Sequence, residues 1–129
     1  MKLHIGVDIL GLPYAIWVTT ADVTDRNGAI EMFSQSNFSI PTLKALLCDG
    51  GYTGENFADA IFELLGVTVE VAKRSELHTF AVIPKRWVVE RTFGWLDKCR
   101  RLWKNCERKI ENTLNMVKLA FISLLLKRY

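Results

Sequence analysis

The spacing of apolar residues changes repeatedly along the chain, and this alternation restricts the fold more than any other feature. Leu3, Ile5 and Val7 alternate with other residues, which predicts a β-strand with one buried face, whereas residues 55–65 repeat apolar side chains every three or four positions, which predicts a helix. The predicted strands are residues 2–8, 14–20, 43–48 and 67–71, and the predicted helices are residues 29–33, 55–65, 85–105 and 112–127. The order β-β-α-β-α-β-α-α, with the second strand returning as a hairpin, predicts one α/β domain over residues 1–129 without a linker or second domain.

Charge is divided unevenly between the two halves of the chain. Residues 1–72 contain 3 basic and 9 acidic residues, whereas residues 73–129 contain 14 basic and 5 acidic ones. A basic half that also carries Trp87, Trp95 and Trp103 suits a phosphate backbone. A solvated helical face would explain the same charges without any ligand, so the composition alone leaves both interpretations open.

The cysteines and the apolar stretches exclude several classes of protein. Cys48, Cys99 and Cys106 form neither a CxxC pair nor a His–Cys cluster, so we predict free, buried thiols and no structural zinc site. The longest apolar stretch, residues 119–126, is too short to span a bilayer, and the chain opens without a signal peptide. We therefore expect a soluble, cytoplasmic protein with no membrane partner.

Two acidic residues stand in contexts that suit metal binding. Asp49 ends a predicted buried strand and precedes two glycines, at the edge of an α/β sheet where ligands bind. Glu90 lies within a predicted helix, four residues after Arg86. Carboxylates are the ligands that Mg²⁺ takes in two-metal phosphoryl-transfer sites. The spacing also allows simpler explanations, namely a turn-forming aspartate at position 49 and an i, i+4 ion pair between Arg86 and Glu90.

Four stretches of the sequence form longer motifs, which are distributed along the chain from residue 2 to residue 108. They are KLHIGVD at residues 2–8 with GLP at 11–13, VTDRNGA at 23–29, LCDGGYTG at 47–54, and PKRWVVERTFGWL at 84–96 followed by RRL at 100–102 and ER at 107–108. These motifs resemble the C-terminal part of the catalytic domain of DDE-type bacterial insertion-sequence transposases, in the insertion-sequence-five-like group. The last motif is the longest and the most specific.

The resemblance implies a ribonuclease-H-like fold, in which a mixed sheet is flanked by helices and here lacks its first strand. It implies Mg²⁺-dependent cleavage at the terminal inverted repeats of an element and strand transfer into target DNA, with three carboxylates binding two Mg²⁺ ions. Asp49 would then be the second catalytic, metal-binding carboxylate and Glu90 the third. Arg86 matches an arginine that contacts DNA near the cleavage site in related transposases. The expected DNA-binding residues are Arg86, Arg91, Lys98, Arg100, Arg101 and Lys104.

The sequence departs from the family pattern at three places. The wider superfamily has a tyrosine seven residues before the glutamate and a lysine seven residues after it, where this chain has Ile83 and Asp97, with Lys98 one position further. The family's first aspartate precedes the stretch at residues 2–8, so the sequence has no counterpart of it. Asp8 matches a different position, at the end of the second strand, where we expect a turn-forming residue.

The missing first carboxylate leaves two functional hypotheses. The chain is part of a DNA-cutting and strand-joining transposase, or it is a catalytically inactive truncated fragment that binds DNA or another copy of the protein. In both cases we expect little or no cleavage by the chain alone, and either marginal stability or association with a partner, which would be a second copy or an N-terminal half encoded upstream. A purely structural α/β domain would explain the motifs around Asp49 and Glu90 only by coincidence.

Overall fold

The computed structural model describes residues 1–35, 42–71, 86–103 and 107–128, with the backbone alone for Arg86 and Trp103. The chain divides into two compact units, one formed by Met1–Val23 with Lys85–Tyr129 and the other by Thr24–Pro84. The predicted order of strands and helices is confirmed, with one additional short helix, and so is the α/β class. The loop predicted at residues 73–79 lies outside the described residues.

The first unit begins with an antiparallel hairpin of β1 (Lys2–Val7) and β2 (Pro13–Thr19), as predicted. The Oδ1 atom of Asp8 accepts hydrogen bonds from the backbone N–H groups of Leu10 and Leu12, both at 2.9 Å. The interpretation of Asp8 as a turn-forming residue is therefore confirmed, because its carboxylate organises the backbone that connects the two strands.

The long helix predicted at residues 85–105 is wrong in one respect. The structure has two helices there, α3 (Arg86–Asp97) and α4 (Arg100–Trp103), separated at Lys98 and Cys99. Apolar residues continue at helical spacing across this break, and neither glycine nor proline marks it, so the spacing predicted a single helix.

The core of the first unit forms where the last helix, α5 (Ile110–Arg128), packs against the hairpin and α3. Its buried residues are Leu96, Val117 and Phe121, and the partly buried residues packed against them include Leu3, Ile5, Ile16 and Leu102. Burial of each such side chain contributes about 1.5–3 kcal/mol. Leu3 and Ile5, whose alternation in the sequence predicted strand β1, thus pack against the helices of the first unit.

The second unit contains α1 (Asp25–Gln35), β3 (Ala45–Cys48), α2 (Glu55–Leu65) and β4 (Thr68–Val71). Strands β3 and β4 pair in parallel, with α2 as the crossover between them. Within the described residues the strands form two separate two-stranded sheets, β1–β2 and β3–β4. The single mixed sheet that the resemblance implies therefore remains a prediction.

Capping residues in the local sequence determine where α1 begins and where α2 ends. Gly66 caps α2 in the left-handed conformation (φ 68°) and donates its N–H to the Phe62 carbonyl at 2.8 Å. Thr24 is the N-cap of α1, because its Oγ1 accepts a hydrogen bond from the N–H of Asn27 at 3.2 Å, and Asp25 directly follows it as the first helical residue. None of the described helices is both long enough and apolar enough to traverse a bilayer.

Candidate metal and DNA site

Asp49 lies at the carboxyl end of β3 and begins a single 3₁₀ turn, Gly50–Tyr52. Its Oδ1 atom accepts a hydrogen bond from the N–H of Gly51 at 2.9 Å, and its side chain is exposed. The predicted strand end and the turn at the two glycines are both present. The prediction that this strand is buried is wrong, because no residue of β3 is fully buried and Leu47 is 50% exposed. A carboxylate offers about four acceptor sites, so the bond to Gly51 leaves acceptor capacity for a cation.

Two ionisable groups near Asp49, the Cys48 thiol and the Tyr52 hydroxyl, are uncharged at neutral pH. Burial, followed by the charges of Asp25 and Asp49, raises the pKa of the Tyr52 hydroxyl to about 12. Burial, followed by the charge of Asp49, raises the pKa of the Cys48 thiol to about 11. Both groups stay protonated at neutral pH, so the negative charge at this end of β3 comes from carboxylates, which are hard oxygen ligands.

The loop that follows Asp49 is held from α1 and α2 of the same unit. The Nη1 atom of Arg26 donates a hydrogen bond to the Thr53 carbonyl at 2.9 Å, across 27 residues of sequence. The ring of Tyr52 packs against that of Phe57 with centroids 5.5 Å apart. Gly54 has a φ of 124°, and a Cβ at this position would lie 3.3 Å from Arg26, so a side chain there would be strained and crowded.

Glu90 lies on the exposed face of α3, in the first unit. Residues Val88, Thr92 and Leu96, four positions apart, form the buried face of this helix. Glu90 falls two residues from both Val88 and Thr92, which directs it to the opposite, exposed side. The expected pairing with Arg86 involves a side chain outside the described ones.

Arg91 is packed between two indole rings of α3. Its guanidinium carbon lies 4.6 Å from the centroid of Trp87 and 5.0 Å from that of Trp95. Its Nη2 atom donates a hydrogen bond to the Leu10 carbonyl at 2.6 Å. Stacking on both sides and a charge-assisted hydrogen bond hold this residue in one place.

The other expected DNA contacts cluster at the break between α3 and α4. Lys98, Arg100 and Arg101 are all exposed. Arg101 also forms a surface ion pair with Glu107, with Nη2 and Oε1 3.4 Å apart. Lys104 lies outside the described residues. The described cations offer an exposed positive surface of the kind that binds phosphates.

The two expected metal ligands belong to different units. Asp49 is in the unit Thr24–Pro84, and Glu90 is in the unit built from the hairpin and α3–α5. Among the residues that the structure describes, no group of three or more His, Cys, Asp or Glu side chains could hold a metal ion. The convergence of Asp49 and Glu90 on one metal pair therefore stays a prediction.

Comparison with known families identifies the chain. A family model for the transposase DDE domain matches residues 1–126. The chain belongs to the transposase DDE domain family. The family resemblance inferred from the four sequence motifs is thereby confirmed.

A curated relative of this DDE-family chain comes from Burkholderia cepacia and is named as a candidate transposase for insertion sequence element IS402. The two are 31% identical over 121 residues, which cover 85% of this chain and 55% of the relative. The chain thus spans about half the length of the curated relative that it matches. No solved structure matches it.

For the transposase DDE domain family, DNA and a divalent metal are the implied ligands. The chemistry of the donors fits this metal, because Asp49 and Glu90 are both exposed carboxylates. Asp49 and Glu90 would hold it, and a further carboxylate would complete a site for two ions.

The sequence prediction of this DDE domain did not identify two anchoring residues. Arg26 holds the loop after Asp49, and Thr92 holds the hairpin turn through its Oγ1 atom. Nothing in the local sequence connects either residue to its distant partner. The spacing of Trp87, Arg91 and Trp95, four residues apart, was a visible signal of stacking along one helix face, because side chains at i and i+4 are neighbours.

Proposed function

We propose that this chain supplies Asp49 and Glu90 as the second and third carboxylates of a DDE transposase site, which cuts DNA at the ends of an insertion sequence and joins the freed end to target DNA. The family match over residues 1–126 is the observation that carries the proposal. The exposed position of each carboxylate, one at a strand end and one on a helix, supports it further.

The fold that accompanies this function is a ribonuclease-H-like catalytic domain, of which residues 1–129 form a part. The parallel β3–β4 pair supports this proposal, because its strand β3 ends at Asp49. Two-stranded parallel sheets are uncommon on their own and are usually extended by further strands. The first strand of the family, which bears the first aspartate, would add to the sheet beside β3.

Each carboxylate would have a defined part in the reaction. Mg²⁺, when bound, activates the attacking oxygen and stabilises the leaving oxygen of the phosphodiester. Asp49 and Glu90 hold the cations through their oxygens. The hydrogen bond from Gly51 fixes the Asp49 carboxylate on its turn, so the residue does not have to be ordered when the metal binds.

The basic residues would hold the DNA next to this site. Arg86 precedes Glu90 by four residues in the sequence, and Lys98, Arg100, Arg101 and Lys104 follow α3. Arg91 was also expected at the DNA, but its guanidinium is engaged by Trp87, Trp95 and the Leu10 carbonyl, so it is left out of this set. We propose that these residues contact the phosphates of the terminal inverted repeats and of the target DNA. Phosphate contacts of this type orient the duplex without reading its sequence.

Cleavage needs a third carboxylate, and the 129 residues contain no counterpart of the family's first aspartate. Two cations held about 4 Å apart repel each other, so the loss of one carboxylate ligand weakens the binding of both ions. We therefore propose that residues 1–129 by themselves do not cut DNA and that the third carboxylate comes from outside them. The second candidate function is a catalytically inactive fragment that binds DNA or another copy of the protein.

Calorimetric titration with Mn²⁺ tests the two metal ligands. We expect Asp49→Asn and Glu90→Gln each to weaken binding about tenfold, because each removes one anionic ligand. Asp59→Asn and Glu111→Gln are matched controls, since both remove an exposed carboxylate from the same two units. If all four variants bind Mn²⁺ as the wild type does, Asp49 and Glu90 are not metal ligands.

A nicking assay on supercoiled DNA with Mg²⁺ separates the two candidate functions. We expect no nicking by the chain alone. Nicking by the wild-type chain that disappears in Asp49→Asn would show a complete site and contradict the proposed inactivity. Sedimentation of the chain across a range of concentrations measures whether it associates with a second copy.

A further inference from the structure

The hairpin turn at residues 8–12 and helix α3 are joined by two side chains that immediately follow Glu90. Arg91 donates from Nη2 to the Leu10 carbonyl at 2.6 Å, and Thr92 donates from Oγ1 to the Gly11 carbonyl at 3.0 Å. Both hydrogen bonds span 81 residues of sequence within the same unit. Two consecutive helix residues thus bind two consecutive carbonyls of one turn.

The turn at residues 8–12 is also held by hydrogen bonds of its own, which do not involve α3. The Asp8 carboxylate accepts from Leu10 and Leu12, and the N–H of Gly11 donates to the Asp8 carbonyl at 3.0 Å. Gly11 is buried and has a φ of 84°. A Cβ at this position would lie 2.9 Å from Thr92 Oγ1, so the absence of a side chain allows the helix to approach.

The helix side of this contact is equally constrained. Thr92 is fully buried, and its Oγ1 atom also contacts the Val88 carbonyl of the preceding turn at 3.0 Å. Arg91 is stacked between Trp87 and Trp95. The buried Nε atom of Arg91 has no hydrogen-bond partner among the described residues, so the guanidinium is placed for stacking and for its bond to Leu10.

These contacts restrict the rotation of α3 about its own axis. Each helix residue is rotated by about 100° from the one before it, and a shift of one residue would turn Glu90 away from its present direction by the same angle. With Arg91 and Thr92 both fixed to the turn, α3 cannot rotate without breaking both hydrogen bonds. The direction of Glu90 is therefore determined by the two residues that follow it.

We propose that Arg91 and Thr92 are positioning residues that fix α3 on the Asp8–Leu12 turn and thereby direct Glu90 toward the metal. The metal part of this inference rests on the proposed function of Glu90. Catalytic geometry tolerates displacements of well under 1 Å, so a loosened helix weakens the ligand even though Glu90 itself is intact.

A double-mutant cycle tests the proposal. Arg91→Lys keeps the charge but loses the planar guanidinium, and Thr92→Val keeps the shape but loses the hydroxyl. We expect each to weaken Mn²⁺ binding about fivefold in the wild-type background and by less than about twofold in a Glu90→Gln background. Thr92→Ser, which retains the hydroxyl, and Arg108→Lys, at an exposed position in the same unit, should both bind Mn²⁺ within about twofold of the wild type.

A second measurement does not depend on the metal. Nitrogen-15 relaxation of the 14.8 kDa chain reports the order of the Glu90 amide. We expect an order parameter near about 0.85 in the wild type and below about 0.6 in Arg91→Lys and Thr92→Val. Thermal melting of every variant shows that the fold is retained. If Thr92→Val does not fold, Arg91→Lys and Thr92→Ser still complete the test.

The outcomes separate this proposal from the proposed function. Losses of Mn²⁺ affinity that appear in the wild-type background but not in Glu90→Gln support both the positioning role of Arg91 and Thr92 and the proposed function of Glu90. Equal losses in the two backgrounds, or unchanged Mn²⁺ affinity in a chain whose binding depends on Glu90, overturn the positioning role. If wild-type binding does not depend on Glu90, the proposed function of that residue fails, and the order parameter alone decides whether Arg91 and Thr92 orient α3.

Discussion

Thr92 Oγ1, on helix α3, donates a hydrogen bond to the carbonyl oxygen of Gly11, in the turn between β1 and β2, at 3.0 Å. Both residues are buried. A buried carbonyl that loses its donor costs about 1–3 kcal/mol, so this bond matters to stability as well as to the orientation of the helix. This hydrogen bond joins the two longest motifs of the sequence, which also pack against each other in the core through Leu96, Leu3 and Ile5.

Gly11→Ala should destabilise the chain by about 2–4 kcal/mol. Alanine disfavours the positive φ of 84°, and its Cβ would lie 2.9 Å from Thr92 Oγ1. Urea unfolding measures this loss. Gly94→Ala is the control, because a Cβ there meets nothing within 4 Å and the residue lies inside α3. That variant should gain about 0.5–1 kcal/mol, and a similar loss in both variants would contradict the explanation.

Gly66 should tolerate asparagine better than alanine. Its φ of 68° is left-handed, while a Cβ there meets nothing within 4 Å, so only the backbone conformation penalises a side chain. We expect a loss of about 1–2 kcal/mol for Gly66→Ala and a smaller one for Gly66→Asn, because asparagine adopts this conformation more readily. Thermal denaturation distinguishes the two variants. Equal stability of the alanine variant and the wild type would mean that α2 does not end as described.

Stability should fall in alkaline solution partly because of Cys48. Burial, followed by the charge of Asp49, raises the pKa of this thiol from 9.0 to about 11. The unfolded chain therefore loses this proton at a lower pH than the folded chain. The resulting stabilisation is complete below about pH 9 and is lost as the pH rises through about 11. Urea midpoints should fall less steeply over this interval in Cys48→Ala, and parallel pH profiles would contradict the prediction.

The exposed arginines of α4 should contribute to DNA affinity without contributing to stability. Arg100→Gln combined with Arg101→Gln should reduce the slope of log affinity against log salt for duplex DNA by about 2. The ion pair of Arg101 with Glu107 lies at the surface, where such pairs contribute about 0–1 kcal/mol, so the melting temperature should change little.

Fluorescence anisotropy at several salt concentrations measures this slope. A matched control replaces Lys118 and Lys127, two exposed lysines of α5, with glutamine. This control removes the same charge from a different surface. An equal change in slope for the two double variants would show that only net charge matters and that α4 does not contact the DNA.

The sequence was sufficient to predict the order of strands and helices because this order depends on local patterns. The alternation of Leu3, Ile5 and Val7 reports a strand with one buried face, and the glycine after Leu65 ends α2 through backbone freedom alone. The break at Lys98 and Cys99 carries no such local signal. The apolar residues on either side keep helical spacing, so only the backbone shows that α4 is separate.

The candidate site was predicted in part for the same reason. Asp49 could be located from the strand and glycine turn around it, and the turn-forming role of Asp8 follows from its own short side chain. The bonds of Arg91 to Leu10 and of Arg26 to Thr53 join residues that are 81 and 27 positions apart. Such contacts depend on tertiary packing, which the spacing of residues along one element does not encode.

The first unit is built from two segments that are far apart in the sequence, and this affects the order in which the two units can fold during translation. Residues Thr24–Pro84 form one continuous segment, whereas Met1–Val23 must wait for Lys85–Tyr129. Domains tend to fold as the polypeptide emerges, so the β3–α2–β4 segment can be completed while Leu3 and Ile5 still lack the apolar side chains of α5. During translation, the nascent β1–β2 hairpin therefore keeps the side chains of Leu3 and Ile5 exposed until α5 has been synthesised.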